Sequence, residues 1–363
     1  MTAREACVGP RADTPLTRHA LAYPCGEPPA VGQAREVAAG VLWVRLALPF
    51  SPHHINIWAL RDGPGWAVID SGYPDLATRA AWTHLLRPAG PLAPGVITRL
   101  IATHMHQDHI GMANWFAREH GVALWMTQGE HAASLDAARE AQGAVPEAHL
   151  DFYRRAGWTE RALVQHATRY PRSEVAAMHA LPADYVRIAE DETLRVGADE
   201  WRVVVGSGHS PEHACFHCPA RGLFLSGDQV LPRISSNVSV WPGAPDADPL
   251  GAWLASLDHL ARTVPDDVLV LPAHNEPFRG LHARLDDLRG KRERALGRLR
   301  ALLGEPKRAV DVFGALFARP VDNEAGLLRM ATGESLAYLN YLRHRGEIES
   351  STDAQGVAWY RRV

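Results

Sequence analysis

The stretch Thr103-His104-Met105-His106-Gln107-Asp108-His109, followed by Ile110-Gly111, decides how this chain is read. It begins where the apolar run Arg99-Leu100-Ile101-Ala102 ends, so three imidazoles and a carboxylate leave a buried strand end close together. Imidazole nitrogen and carboxylate oxygen suit zinc and similar first-row metals. In an extended segment His104 and His106 point to one side, because side chains alternate with period two, and can grip one ion. Asp108 and His109 lie past the bend, near the start of a helix expected over 112–120, where they can face a second ion. Histidines do gather on exposed loops by chance, but rarely at this spacing straight after an apolar strand.

Outward from this motif, the flanks read as sheet. Val41-Leu42-Trp43-Val44-Arg45-Leu46, Ile55-Asn56-Ile57-Trp58-Ala59-Leu60 and Trp66-Ala67-Val68-Ile69 are strand-like. Asp62-Gly63-Pro64-Gly65 supplies hairpin chemistry between the last two. Asp70-Ser71-Gly72 closes the third strand, and a helix is expected over 75–87. Strands resume at 201–205 and 223–226, and the last strong one is expected at 267–271.

Three regions stand outside this sheet. Residues 1–34, rich in Pro, Gly and Ala, read as an irregular arm. Residues 129–181 have helical spacing of apolar positions and read as a helical insertion, a cap over the metal cleft. Residues 281–303 form a long charged helix. From about 309 the chain shows helical segments and then the short strand Val357-Ala358-Trp359-Tyr360, the outline of a winged helix. Within that tail Leu316, Phe317, Leu327, Leu328, Leu336, Leu339 and Leu342 are expected to pack a small core and dock on the main domain. The domain expectation is an arm at 1–34, a main domain at 35–290, and a linking helix with the tail domain at 291–363.

Composition bounds the function. The chain has 363 residues and a formal net charge of −3, which gives no global attraction to nucleic acid or membrane. The four cysteines, Cys7, Cys25, Cys215 and Cys218, are too sparse for a disulfide framework. No secretion-type apolar run opens the sequence, and no stretch approaches the ~20 apolar residues that span a bilayer, so the expectation is a cytoplasmic protein.

His-x-His-x-Asp-His after a strand resembles the metallo-β-lactamase superfamily. The other elements of that pattern follow in order: Asp70 at an early strand end, Gly208-His209-Ser210, Ser226-Gly227-Asp228 after an apolar strand, and Leu271-Pro272-Ala273-His274. The resemblance covers about residues 38–290. It implies an α/β fold, the αββα four-layer sandwich, carrying the helical insertion and the small C-terminal winged-helix-like domain. Carried over residue by residue, it implies two divalent metal ions. His104, His106 and His209 would hold the first, Asp108, His109 and His274 the second, and Asp228 would bridge them. Asp70 and His213 would orient ligands from behind. Zinc is the expected metal, with iron and manganese as alternatives.

The chemistry implied is hydrolysis. A metal-bound water has its pKa lowered toward ~7, so hydroxide is available at neutral pH. Asp108 would be the catalytic carboxylate, serving the second ion and orienting the hydroxide. No Gly-x-Ser-x-Gly elbow points to a serine mechanism. The redox branch of this fold usually has Glu where this chain has His106, and its flavodoxin-like domain is missing here. The first expectation is a small-molecule thioester or ester, as in the glyoxalase II-like and acyl-CoA thioesterase branches. A metal-dependent nuclease is the alternative, and a non-catalytic metal-binding regulator a third. A homodimer is compatible with all three. Cys215-Phe216-His217-Cys218 invites a metal-knuckle reading, but strand packing is the expectation. The basic run Arg289, Lys291, Arg292, Arg294, Arg298 and Arg300 reads as a solvated helix face, or else a phosphate-contacting surface.

Overall fold

Side chains along the early strands alternate between two different cores, and this alternation builds the layers. We describe the protein from a computed structural model covering residues 21–140, 144–169, 181–182, 184–318, 320–321 and 325–363. Most of the expected arm (1–20), and residues 170–180 of the insertion with Tyr170, lie outside the described residues.

The first sheet has seven strands in chain order: β1 (Ala34–Ala38), β2 (Val41–Ala47), β3 (His54–Asp62), β4 (Gly65–Ile69), β5 (Ile97–Ile101), β6 (Leu124–Thr127) and β7 (Tyr185–Ile188). β1 to β4 pair antiparallel, and β4 to β7 parallel. The second sheet runs β12 (Leu269–Pro272), β11 (Leu223–Gly227), β10 (His213–Cys218), β9 (Asp199–Gly206) and β8 (Thr193–Val196). Trp43, Trp58, Ala67 and Ile69 of the first sheet meet Trp201, Val203, Phe216 and Leu225 of the second in one buried layer. Their neighbours one position along, Val44, Ile57, Val68 and Leu100, point outward into a second core. This is the period-two signature of a sheet buried on both faces.

Helices cover the outer faces. On the first sheet lie α1 (Leu76–Leu85) and α3 (Ala113–His120), the latter preceded by the short α2 (Gln107–Ile110). Asp75 caps α1 by accepting from Thr78 N at 2.7 Å, which satisfies one of the end donors. The insertion contributes α4 (Gln128–Glu140), α5 (Glu147–Arg155) and α6 (Glu160–Arg169). On the second sheet lie α7 (Pro249–Thr263) and α8 (Leu281–Leu302), followed by α9 (Phe313–Leu316), α10 (Ala325–His344) and the hairpin β13 (Ile348–Thr352)–β14 (Ala358–Arg362). The result is the four-layer αββα sandwich.

Several sequence expectations shift. The strand expected at 267–271 starts at Leu269, and the helix expected over 112–120 starts at Ala113. The strands β1, β6, β7 and β8 were not foreseen. The tail docks on the main domain as expected, and among the described residues it shares that domain's core in place of a separate miniature one. Leu328, Leu336, Leu339 and Leu342 join Trp253, Leu257 and the insertion's Phe152, Tyr153 and Trp158 in one cluster. Leu327 points to solvent, at 43% exposed. Trp158 Nε1 donates to Thr332 Oγ1 at 2.9 Å, and Val310 N to Ala156 O at 3.2 Å, so insertion and tail are bonded as well as packed. The insertion's described aromatic side chains therefore serve packing.

The basic run on α8 is only partly a solvated face. Arg292 is 5% exposed, with its guanidinium bonded to Glu334, Tyr338 OH and Ser236 O. Burial is tolerable there because carboxylate, hydroxyl and carbonyl acceptors replace water around the guanidinium.

Candidate metal centre

Every candidate ligand sits at a strand end or in the loop after it, on one edge of the sandwich. β5 delivers His104 and His106, α2 carries Asp108 and His109, and the turn between β9 and β10 carries His209. Asp228 follows β11 and His274 follows β12. The 103–105 segment is bent where an extended one was expected, yet both imidazoles still converge. His104 Nε2 lies 2.9 Å from His106 Nδ1 and 3.2 Å from His209 Nε2.

Among the described residues three overlapping groups of donors form, each with all ligand atoms within 4.8 Å: His104, His106 and His209; Asp108, His109 and His274; and His104, His109 and Asp228, which joins the other two. Asp228 lies between the first two. Its Oδ2 is 3.5 Å from His209 Nε2 and 3.7 Å from His109 Nε2, and its Oδ1 is 3.4 Å from His274 Nε2.

The far sides of the rings fix their tautomers. His109 Nδ1 donates to Asp70 Oδ2 at 2.7 Å, His209 Nδ1 to Asn237 O at 2.7 Å, and His274 Nδ1 to His54 O at 2.8 Å. With Nδ1 donating, each Nε2 faces the centre as the atom a metal would take once it is free of a proton. Asp70 has a left-handed backbone (φ 66°) and is itself held by Thr103, whose N–H and hydroxyl both donate to it. That hydroxyl is also 3.0 Å from His104 Nδ1. His213 faces elsewhere: its Nε2 accepts from Asp228 N at 3.0 Å, fixing the backbone of the shared carboxylate. The His213 ring occupies the space a Cβ at residue 227 would need, 2.4 Å away, which is why glycine stands there.

Electrostatics favour cation binding. Burial first, then neighbouring histidines, hold His104 well below the ordinary histidine value, and burial with His209 brings His106 to about 3. Both rings are therefore neutral, the state in which imidazole binds a metal. Burial works against the charge on Asp108 and Asp228, but His109 and His274 beside them keep both carboxyls ionised, Asp108 at about 2. Burial likewise opposes protonation of His109 and His274, yet Asp70, Asp108 and Asp228 raise His109 well above the usual range, and Asp228 with Asp108 raises His274 to about 10, so a cation bound there would displace a proton from each ring. Two buried atoms, His109 Nε2 and Asp228 Oδ1, have no hydrogen-bond partner. Converging lone pairs, ionised carboxylates and unpartnered buried atoms fit divalent cations.

Sequence reasoning missed Glu130. It is fully buried and accepts from Met105 N at 2.8 Å and Glu212 N at 2.7 Å, tying the loop of His104 and His106 to that of His209 and His213. Its place just after a strand is the one signal that could have found it. The cysteine pair resolves as strand packing. In β10 Cys215 faces the helical layer and Cys218 the layer between sheets, so they cannot share an ion.

Comparison with known proteins agrees with the geometry. Residues 51–274 match the family model "Metallo-beta-lactamase superfamily", and residues 296–363 match "Metallo-beta-lactamase-like, C-terminal domain". A Burkholderia ambifaria protein described as a beta-lactamase domain protein is 38% identical, with a TM-score of 0.85, covering 94% of this chain and 98% of that one. A metallo-beta-lactamase family protein of Thermus thermophilus is 25% identical, with a TM-score of 0.73, covering 90% and 100%. The Bacillus subtilis protein named "Probable metallo-hydrolase YqjP" is 26% identical over 87% of this chain and 96% of its own length. A hydroxyacylglutathione hydrolase of Cereibacter sphaeroides is 39% identical, but over only 15% of this chain and 22% of its own.

Proposed function

This chain belongs to the metallo-β-lactamase superfamily, and from that premise we propose that it is a dinuclear metal-dependent hydrolase acting on a thioester or ester. The observation that carries the dinuclear reading is Asp228 set between two three-residue donor groups. In this reading His104, His106 and His209 would hold one ion, Asp108, His109 and His274 would hold the other, and Asp228 would serve both. The nitrogen-and-oxygen donor set suits zinc, with iron and manganese as alternatives. When bound, such ions acidify water toward ~7 and polarise an acyl oxygen.

The remaining work falls to the chain's own groups. Asp70, Asn237 and His54 hold three imidazoles in the ligating tautomer. Glu130 and His213 fix the backbones that carry the ligands. Asp108, half-buried at the centre, is the carboxylate placed to hold and orient a reacting water. The thioester choice draws support from the short likeness to a hydroxyacylglutathione hydrolase. Elemental analysis joined to a panel of acyl-CoA, glutathione thioester, lactone and RNA substrates tests it. Two ions per chain with thioester turnover is the expected result. Turnover of RNA alone would replace the thioester reading with the nuclease one.

A further inference from the structure

The six residues of the basic run on α8 part company in the structure. Arg289 pairs with Asp258, Arg292 with Glu334 and Arg300 with Glu347. The other three, Lys291, Arg294 and Arg298, all line one open cavity of about 590 Å³. Arg294 and Arg298 have no acidic partner among the described residues. Arg298 is held in place by its Nε, which donates to Ala315 O at 2.6 Å and leaves the fork of the guanidinium unengaged by any carboxylate of the described residues. Lys291 has only the exposed Asp287, at 3.0 Å.

Spacings of three and four residues put these cations on one helix face, where like charges repel and weaken the helix. The fold nevertheless turns all three toward the same hollow. Among the described residues the one carboxylate in that wall, Glu334, is already taken up by buried Arg292 and by Asn237 Nδ2 at 3.1 Å, so the described lining keeps an excess of positive charge. Leu316 and Phe317 give it an apolar side.

We propose that this cavity is a binding site, separate from the His/Asp cluster, for a phosphate group on a small molecule. Paired guanidinium groups match the oxygens of a phosphate, and the volume is that of a small-ligand pocket. From Lys291 to Arg298 the helix rises ~10.5 Å, room for one or two phosphates and short of the row of contacts an extended nucleic-acid strand takes. The apolar side accepts the ring or alkyl part of the same molecule. The site bears on the cluster through one segment: Arg292 donates to Ser236 O, and the neighbouring Asn237 O accepts from His209.

Adenosine 3′,5′-bisphosphate titrated calorimetrically into the full-length chain tests the assignment, because it carries two phosphates and a ring and needs no turnover. Arg294→Gln/Arg298→Gln should weaken binding at least tenfold, whereas Arg289→Gln, outside the cavity, should match the unchanged protein. Arg294→Gln alone, at an exposed position, should weaken it by a smaller factor and serves if the double variant unfolds early. No binding by the unchanged chain at millimolar ligand overturns the proposal. So does equal affinity in the arginine variants, which would mean that the His/Asp cluster holds the phosphate. A ten-nucleotide RNA that binds more tightly than the bisphosphate, and is lost in the same variants, overturns the small-molecule occupant in favour of a strand.

Discussion

Glu334→Ala removes the carboxylate beside Arg292 and leaves that guanidinium 5% exposed with only neutral acceptors. Breaking a buried pair from one side costs ~3–5 kcal/mol, because the surviving charge stays uncompensated. Unfolding entropy of about 2.1 cal/mol/K per residue gives ~0.76 kcal/mol/K for 363 residues unfolding together, so Tm should fall by ~4–7 °C. Removing both charges should cost much less, so Arg292→Met/Glu334→Ala should recover most of the loss. Thermal unfolding of the two variants and the unchanged chain, at one pH and one metal load, is the assay. A fall of less than ~1 °C for Glu334→Ala, or no recovery in the double variant, would refute the reasoning.

Other outcomes follow from the same contacts. Asp108→Ala should lose most turnover, at least ~10²-fold, while unfolding within ~2 °C of the unchanged chain, since Asp108 fills no core position; near-normal turnover at full metal occupancy would end its assigned role. Glu130→Ala should strand the N–H groups of Met105 and Glu212 at ~1–3 kcal/mol each and weaken metal binding, measured by chelator competition. Chelation should lower Tm and abolish turnover, both restored by zinc; at a hundredfold excess over Kd the ion stabilises by ~2.7 kcal/mol, so an unchanged Tm would count against the centre. Cys215→Ala/Cys218→Ala should keep two ions per chain by elemental analysis.

Four of the seven candidate ligands were readable because their spacing is local: a strand end followed by His-x-His-x-Asp-His states its chemistry within seven residues, whereas His209, Asp228 and His274 were reached only through the resemblance. What was not readable depends on partners far along the chain. Glu130 sits in a run of Ala, Glu, Arg and His that reads as solvated helix, and only Glu212, 82 residues on, shows that it is buried. Arg292 looks like its neighbours until Glu334 meets it 42 residues later. Asn237 orients His209 through a backbone carbonyl, which no side-chain pattern encodes. The strand β6 was lost because four residues offer too few periods to tell strand from helix. Leu327 went wrong in the other direction: helical spacing marks a face, but the packing partners decide how wide the buried stripe is.

The shared core of insertion and tail also has a meaning in time. Trp158 and its partner Thr332 are 174 residues apart, and Phe152 and Tyr153 wait for the same helix. At ~5–20 residues per second, a ribosome takes ~9–35 s to make the cover after the aromatic patch has left the tunnel. Through that interval the second sheet and its helices are still being made, and even once α8 ends at Leu302 the aromatic patch stays bare until α10 follows, an invitation to chaperones and to aggregation. A chain stalled before residue 309 would therefore be a sticky protein rather than a shorter enzyme, and deleting the tail would reproduce that state permanently.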